Sequence, residues 1–143
     1  MKIGIVSDHR GFDLKKKLLK DVKNLVDYGT YSKDMCDYPD FAFKLGKAVV
    51  SKDVDLGIAI CGSGIGMSIA CNKIKGVRCA RVTSIKDVII TKTDNNANII
   101  AFSSEINYER ILRMIEEFIN TPYSNLDRYN RRNKIVSEYC DKC

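Results

Sequence analysis

No apolar run in the 143 residues approaches the roughly 18 that a membrane-crossing helix needs. The N-terminal MKIGIVSDH has neither the apolar stretch nor the cleavage signal of a secretory leader, so a soluble, cytoplasmic protein is expected. Histidine occurs once, and the only CxxC spacing, Cys140 to Cys143, has no second pair to complete a structural zinc site; no metal is expected. A GxGxxG is missing, which weakens a dinucleotide reading, and the lack of Gly-Lys-Ser/Thr removes the nucleotide-binding P-loop. No basic stripe interleaved with aromatics occurs, so neither nucleic acid nor membrane is an expected partner. Repeats, low-complexity tracts and linkers are also missing, and the length fits one domain over residues 1–143.

What is present is enough apolar material, 45% of residues, to fill a core. A cytosolic chain of this size needs no covalent staples, so Cys36, Cys61, Cys71, Cys79, Cys140 and Cys143 are all expected as free thiols. The net charge of +6 favours anionic partners in general. Part of that excess is local. Lys15, Lys16 and Lys17 fall on a helix and are expected to form a solvated face, while Arg128, Arg131 and Arg132 cluster near the C-terminus.

Periodicity organises the chain. An apolar run over 2–7 predicts a strand, a turn at 8–11 leads into an amphipathic helix over 11–23, and a short strand follows near 25–28. The segment 29–39 is polar and closed by Pro39, which predicts a loop before a helix over 40–51. The apolar run at 54–60 fits a parallel strand covered on both faces. Further strands are predicted near 77–82 and 97–102. Helices are expected from the glycine segment to about residue 73, over 84–93, over 107–120, and from about 125 to 140. Alternating strands and helices predict an α/β fold: a single-domain, Rossmann-like three-layer sandwich with a five-stranded parallel sheet, helices on both faces and a C-terminal helix. Ligands of such sheets bind where neighbouring crossovers diverge at the strand C-termini, so Asp8, His9 and the segment after the third strand are candidates, with Asp94 and Asn95 preceding the fifth.

The segment Cys61-Gly62-Ser63-Gly64-Ile65-Gly66 lies between a strand and a helix, where its glycines allow a sharp turn with amides facing an anion. A thiol there, close to a helix N-terminus, is favoured as thiolate and is a candidate base or nucleophile. The alternative for any of these cysteines is a small apolar residue in a buried strand; that is the expectation for Cys71 and Cys79, whereas the three glycines beside Cys61 favour chemistry. Asp8 has a helix-cap alternative, and the lone His9 a structural one.

Taken together, Ser7-Asp8-His9, Asp37-Tyr38-Pro39, CGSGIGMS followed by Asn72-Lys73, and Asn95-x-x-Asn98 closely resemble the ribose-5-phosphate isomerase type B and galactose-6-phosphate isomerase subunit family over nearly the whole chain. The resemblance implies an aldose-ketose isomerase of sugar phosphates that needs no cofactor and works through a cis-enediolate. It makes Cys61 the base that moves a proton between C2 and C1, with Ser63, where threonine is more usual, steadying that proton. The amides of Gly62, Ser63, Gly64, Ile65 and Gly66 would meet the enediolate oxygen. Asp8 and His9 would bind sugar hydroxyls and the phosphate end, with Tyr38 lining the pocket and Asn95 beside it. Arg128-Tyr129-Asn130-Arg131-Arg132 is similar to an Arg-His-x-x-Arg phosphate clamp, which carries over to Arg128 and Arg132; a basic helix without a ligand is the alternative. The family assembles as dimers or tetramers with sites between subunits, so a homodimer or tetramer is implied.

Two positions depart from the pattern. Asp94 stands where ribose-specific members commonly carry a ring-opening histidine, and Glu105 stands where many have a phosphate-holding arginine. Asp94 is therefore carried as a catalytic candidate in its own right. Three functions remain open from the sequence: isomerisation of ribose 5-phosphate to ribulose 5-phosphate, the same chemistry on a hexose 6-phosphate, and non-catalytic sensing of a phosphosugar.

Overall fold

A computed structural model describes residues 1–141. Five strands, β1 (Ile3–Ser7), β2 (Leu25–Asp27), β3 (Leu56–Cys61), β4 (Cys79–Arg81) and β5 (Ile99–Ser103), form one parallel sheet in the order β2-β1-β3-β5-β4. Helices α1 (Phe12–Asp21), α2 (Tyr38–Val50), α3 (Ile65–Cys71), α4 (Ile85–Asn95), α5 (Tyr108–Asn120) and α6 (Asp127–Glu138) complete the chain. The expected α/β architecture is the one observed. No helix among the described residues is long and apolar enough to cross a membrane.

The strands are buried from both sides because alternate side chains serve two separate clusters. Ile3, Ile5, Ile58, Ile60, Ile100 and Phe102 meet Leu18 of α1 and Ile111, Met114, Ile115 and Phe118 of α5. Val6, Ala59, Cys61, Ile99 and Ala101 meet Leu45 and Val49 of α2 and Met67 and Cys71 of α3. Alternation along β3 thus sends Ile60 to one layer and Cys61 to the other, beneath α2 and α3.

Several boundaries differ from the sequence prediction. Helix α2 starts at Tyr38 rather than Asp40, because Pro39 occupies the first turn, where its missing N–H costs nothing. The apolar stretch 54–60 begins as strand only at Leu56, and the segment 77–82 is strand only over Cys79–Arg81. Helix α3 ends at Cys71, short of residue 73. Helix α4 runs on to Asn95, so Asp94 and Asn95 belong to its last turn.

Two expectations are corrected. Lys15 is not part of a solvated face: it is fully buried, its Nζ bonding to the Asp27 carboxylate at the end of β2 and to the carbonyl of Thr30. The helical stripe of Phe12, Leu18 and Leu19 draws the lysine inward, and the charge is tolerated there because both partners meet it. Cys36, Cys61, Cys71 and Cys79 are free thiols, but Cys140 is disulfide-bonded, and position 143 lies outside the described residues. Cys71 is buried but ends helix α3 rather than a strand, and Cys79, on β4, is half-buried; a hydrogen bond with Cys71, then burial, pushes the Cys79 thiol well above its ordinary value.

Replacing Lys15 by Met strands Asp27 without its cation. Because Asp27 keeps some solvent, a loss of about 3 kcal/mol, the low end for a broken buried pair, is the expected outcome in urea denaturation.

Candidate functional site

The order β2-β1-β3-β5-β4 makes the chain turn one way from β1 and the other way from β3, so the crossovers part between these two strands. The segments leaving their C-termini are brought together there. Asp8 N donates to Ile60 O at 3.2 Å, and Gly11 packs so closely on Ile60 that a Cβ would stand 2.7 Å from its Cγ2. After β1 the chain makes a 3-10 turn over His9–Gly11, capped by Asp8, whose Oδ1 accepts from Arg10 N at 3.0 Å and Gly11 N at 3.1 Å. The cap alternative for Asp8 is therefore realised in one oxygen, and the same bonds aim His9 and Arg10 outward from the turn.

His9 is half-buried, and its Nδ1 accepts from Cys36 N at 3.3 Å. With Nδ1 used as an acceptor, the proton of a neutral imidazole sits on Nε2, which is left as a donor for a ligand. The polar loop predicted from its composition thus fixes the histidine's tautomer.

After β3 the chain crosses Cys61–Gly66, whose three glycines are closely approached, Gly64 by backbone and Gly62 and Gly66 by the ends of side chains. Gly64 has φ +78, in the left-handed region, and a Cβ on it would stand 2.7 Å from the Cα of Phe102. A Cβ on Gly62 would meet the Arg10 guanidinium at 2.6 Å, and one on Gly66 would meet the Tyr38 ring at 2.6 Å. The loop is held from β5, since Ser103 Oγ donates to Gly62 O at 2.6 Å and itself accepts from Glu105 N at 3.0 Å. On its outer side Arg81 Nε donates to Ser63 O at 3.1 Å.

Cys61 is the last residue of β3 rather than the first of the loop, and it is 5% exposed. Gly64 N donates to its Sγ at 3.1 Å, and a hydrogen bond of this kind is strongest to the thiolate, the form that accepts a proton. Helix α3 has only seven residues, so this direct amide contact, more than a macrodipole, polarises the sulfur. Ser63 is exposed, with its Oγ accepting from Ile65 N at 3.1 Å. Among the described residues the amides of Ser63, Gly66 and Met67 donate to no protein acceptor, and so remain available to an oxyanion.

Asp8, His9, Tyr38 and Cys61–Gly66 therefore meet at one edge of the sheet. Asp94, Asn95, Arg128 and Arg132 do not join them within the chain. Asp94 and Asn95 end α4 just before β5, at the opposite edge, and the five residues of β5 span roughly 13 Å between the edges. Asp94 Oδ1 accepts from Thr93 Oγ1 at 2.9 Å, while its main-chain oxygen accepts from Asn133 Nδ2 of α6 at 2.9 Å. Arg128 and Arg132 lie on one face of α6 with Tyr129 between them, their guanidinium carbons 4.8 and 5.9 Å from its ring centre. Asn95 borders a cavity of about 310 Å³ with Arg78, Cys79, Asn133 and Val136. Asn98, quoted with the same motif, is structural, since its side chain accepts from Arg78 N and donates to Gly76 O.

Arg10 and Arg81 escape a reading of the sequence. Each is an exposed arginine with no motif around it, and only the adjacency of Arg10 to His9 hints at its place.

A parallel α/β sheet with an amide-lined loop and a thiol at its switch point is the setting of small metabolite enzymes, and the sequence and structure comparisons narrow the class to sugar-phosphate isomerases. The family described as Ribose/Galactose Isomerase matches residues 3–136. Ribose-5-phosphate isomerase B of Mycolicibacterium paratuberculosis is 33% identical over 145 residues, covering 97% of this chain and 91% of that protein. Ribose-5-phosphate isomerase B of Clostridium thermocellum superposes with a TM-score of 0.93 at 35% identity, covering 96% of each chain. The Mycoplasma genitalium enzyme, solved with bound ribulose-5-phosphate, superposes with a TM-score of 0.89 at 36% identity, over 96% of this chain and 95% of that one. The chain belongs to the ribose/galactose isomerase family.

Gly64→Ala forces a side chain into the left-handed region and against the Phe102 backbone. A loss of roughly 2 kcal/mol or more in chemical denaturation is expected, since the strain alone costs about 1–3 kcal/mol.

Proposed function

We propose that the protein interconverts ribose 5-phosphate and ribulose 5-phosphate, with Cys61 as the base. The hydrogen bond from Gly64 N to Cys61 Sγ carries this reading, because it supports a thiolate beside amides that have no other acceptor. In the open-chain aldose the thiolate removes the proton on C2; the C2 electron pair forms the C1–C2 double bond, and negative charge moves onto the C1 oxygen. The loop amides stabilise that oxygen, and Ser63 steadies the proton on its way. Return of the proton to C1, with the O2 proton passing to O1, gives the neutral ketose and regenerates the thiolate. Ribulose-5-phosphate in the Mycoplasma genitalium relative supports a pentose ligand. Asp94, in place of a ring-opening histidine, favours a hexose 6-phosphate as the second reading, with unchanged chemistry at Cys61.

The site is completed by another copy of the chain, at least in a homodimer. Two observations support this: Asp94, Asn95, Arg128 and Arg132 sit at the edge away from Cys61, and α6 buries no residue in its own chain while Ile135 and Val136 on it and Tyr139 just after it are exposed. In such an assembly the terminal arginines of one subunit hold the phosphate while Cys61 of the other works on C1 and C2.

Purified protein incubated with ribose 5-phosphate and with a panel of hexose 6-phosphates should form ketose from the pentose. Cys61→Ala should lower kcat by at least about 100-fold, the scale of a lost general base, without altering the circular dichroism spectrum. Absence of turnover on every substrate by the folded wild type rejects the catalytic assignment; turnover of a hexose alone selects the second reading.

A shared site also predicts complementation. Cys61→Ala and the double variant Arg128→Ala/Arg132→Ala should each be impaired alone and regain activity when their subunits are exchanged, because one of the two mixed sites then holds both parts. No recovery after exchange, verified by mass spectrometry, contradicts a site shared between subunits.

A further inference from the structure

The glycine loop carries two guanidinium groups that belong to its own chain. Arg10 lies with Cζ and Nη1 each 2.6 Å, and Nε 2.9 Å, from the position a Gly62 Cβ would take, so the guanidinium is laid face-on against that glycine. Its backbone is held by the Asp8 carboxylate, which accepts from Arg10 N and Gly11 N. Arg81, from the end of β4, uses Nε on Ser63 O and leaves its terminal nitrogens unused. Neither arginine is in an ion pair among the described residues, where the paired cations are Lys15, Lys33 and Lys134. Two guanidinium groups outside any ion pair among the described residues thus adjoin the loop at Gly62 and at Ser63.

We propose that Arg10 binds the phosphate of the sugar phosphate on the same subunit that carries Cys61, with Arg81 as a secondary cation. This rests on the sugar-phosphate reading above and adds to it a binding residue. A guanidinium fork pairs with two phosphate oxygens at once, and Arg10 sits on the residue that follows Cys61, next to His9 with its free Nε2. Ser103 Oγ joins Gly62 O and Glu105 N, which brings the backbone of Glu105 close to the glycine that Arg10 covers, so a cation at Arg10 would offset negative charge in this part of the loop. Gly62 acquires a second function here, because any side chain at 62 would displace the guanidinium.

The test uses full-length protein and the variants Arg10→Ala, Arg10→Gln and Arg10→Lys, with inorganic phosphate as the first probe. Calorimetry should show phosphate affinity falling by about tenfold or more in Arg10→Ala and Arg10→Gln, the effect of losing one hydrogen-bonded charge, with part of it restored in Arg10→Lys. In turnover, KM for the sugar phosphate should rise by a similar factor with kcat changed less than about twofold, whereas binding of the same sugar without phosphate should be unchanged. Phosphate affinity equal to wild type in both folded variants, or an equal loss for the unphosphorylated sugar, overturns the proposal. If the wild type binds phosphate and turns over no sugar phosphate, the isomerase reading fails while the calorimetry still decides Arg10.

Discussion

The site depends on one constraint: the chain must pass from β3 into α3 close enough to β5 that the Gly64 amide meets the Cys61 sulfur. That approach is open only to glycine. At φ +78 and with a Cβ 2.7 Å from the Phe102 backbone, any other residue at 64 would lift the loop and turn the amide away. Ser103 then fixes the loop through Gly62 O, and Arg81 through Ser63 O, so the donors are oriented before a ligand arrives. Donors fixed in this way would need no turning to meet an oxyanion.

Around that loop the surfaces are built by side chains lying on glycines. Arg10 covers Gly62 and Tyr38 covers Gly66, each so closely that a methyl group there would push the side chain aside. Tyr38 reaches its place because Pro39, expected to close the loop before the helix, sits in its first turn, so α2 begins two residues earlier. His9 presents Nε2 because the loop before α2 donates Cys36 N to its other nitrogen. Lys15, buried beneath that loop, ties Asp27 and Thr30 together, so a residue outside the site supports the segment that orients it.

Much of the site was legible because its residues follow strands and are close in sequence. Asp8, His9 and the run from Cys61 to Gly66 leave the two strands that flank the switch point, and strand-helix alternation alone locates them. Lys15 was not legible: a triple lysine on an amphipathic helix looks like a solvated face until Asp27, twelve residues away, is seen beside it. Arg10 was hidden for a similar reason, since what marks it is the neighbour it lies on, Gly62, which is remote in sequence. Asp94 and Asn95 were expected at the same edge because they precede a strand, but α4 runs through them and ends at the other edge.

The sequence by itself determined the layer architecture, the five parallel strands and the placing of a cysteine before three glycines, because these follow from short-range periodicity and backbone freedom. Only the tertiary structure decided which groups face one another. Burial of Lys15, the tautomer of His9, the guanidinium on Gly62 and the separation of Cys61 from Arg128 and Arg132 are set by contacts between segments distant along the chain, and no local pattern encodes such distances.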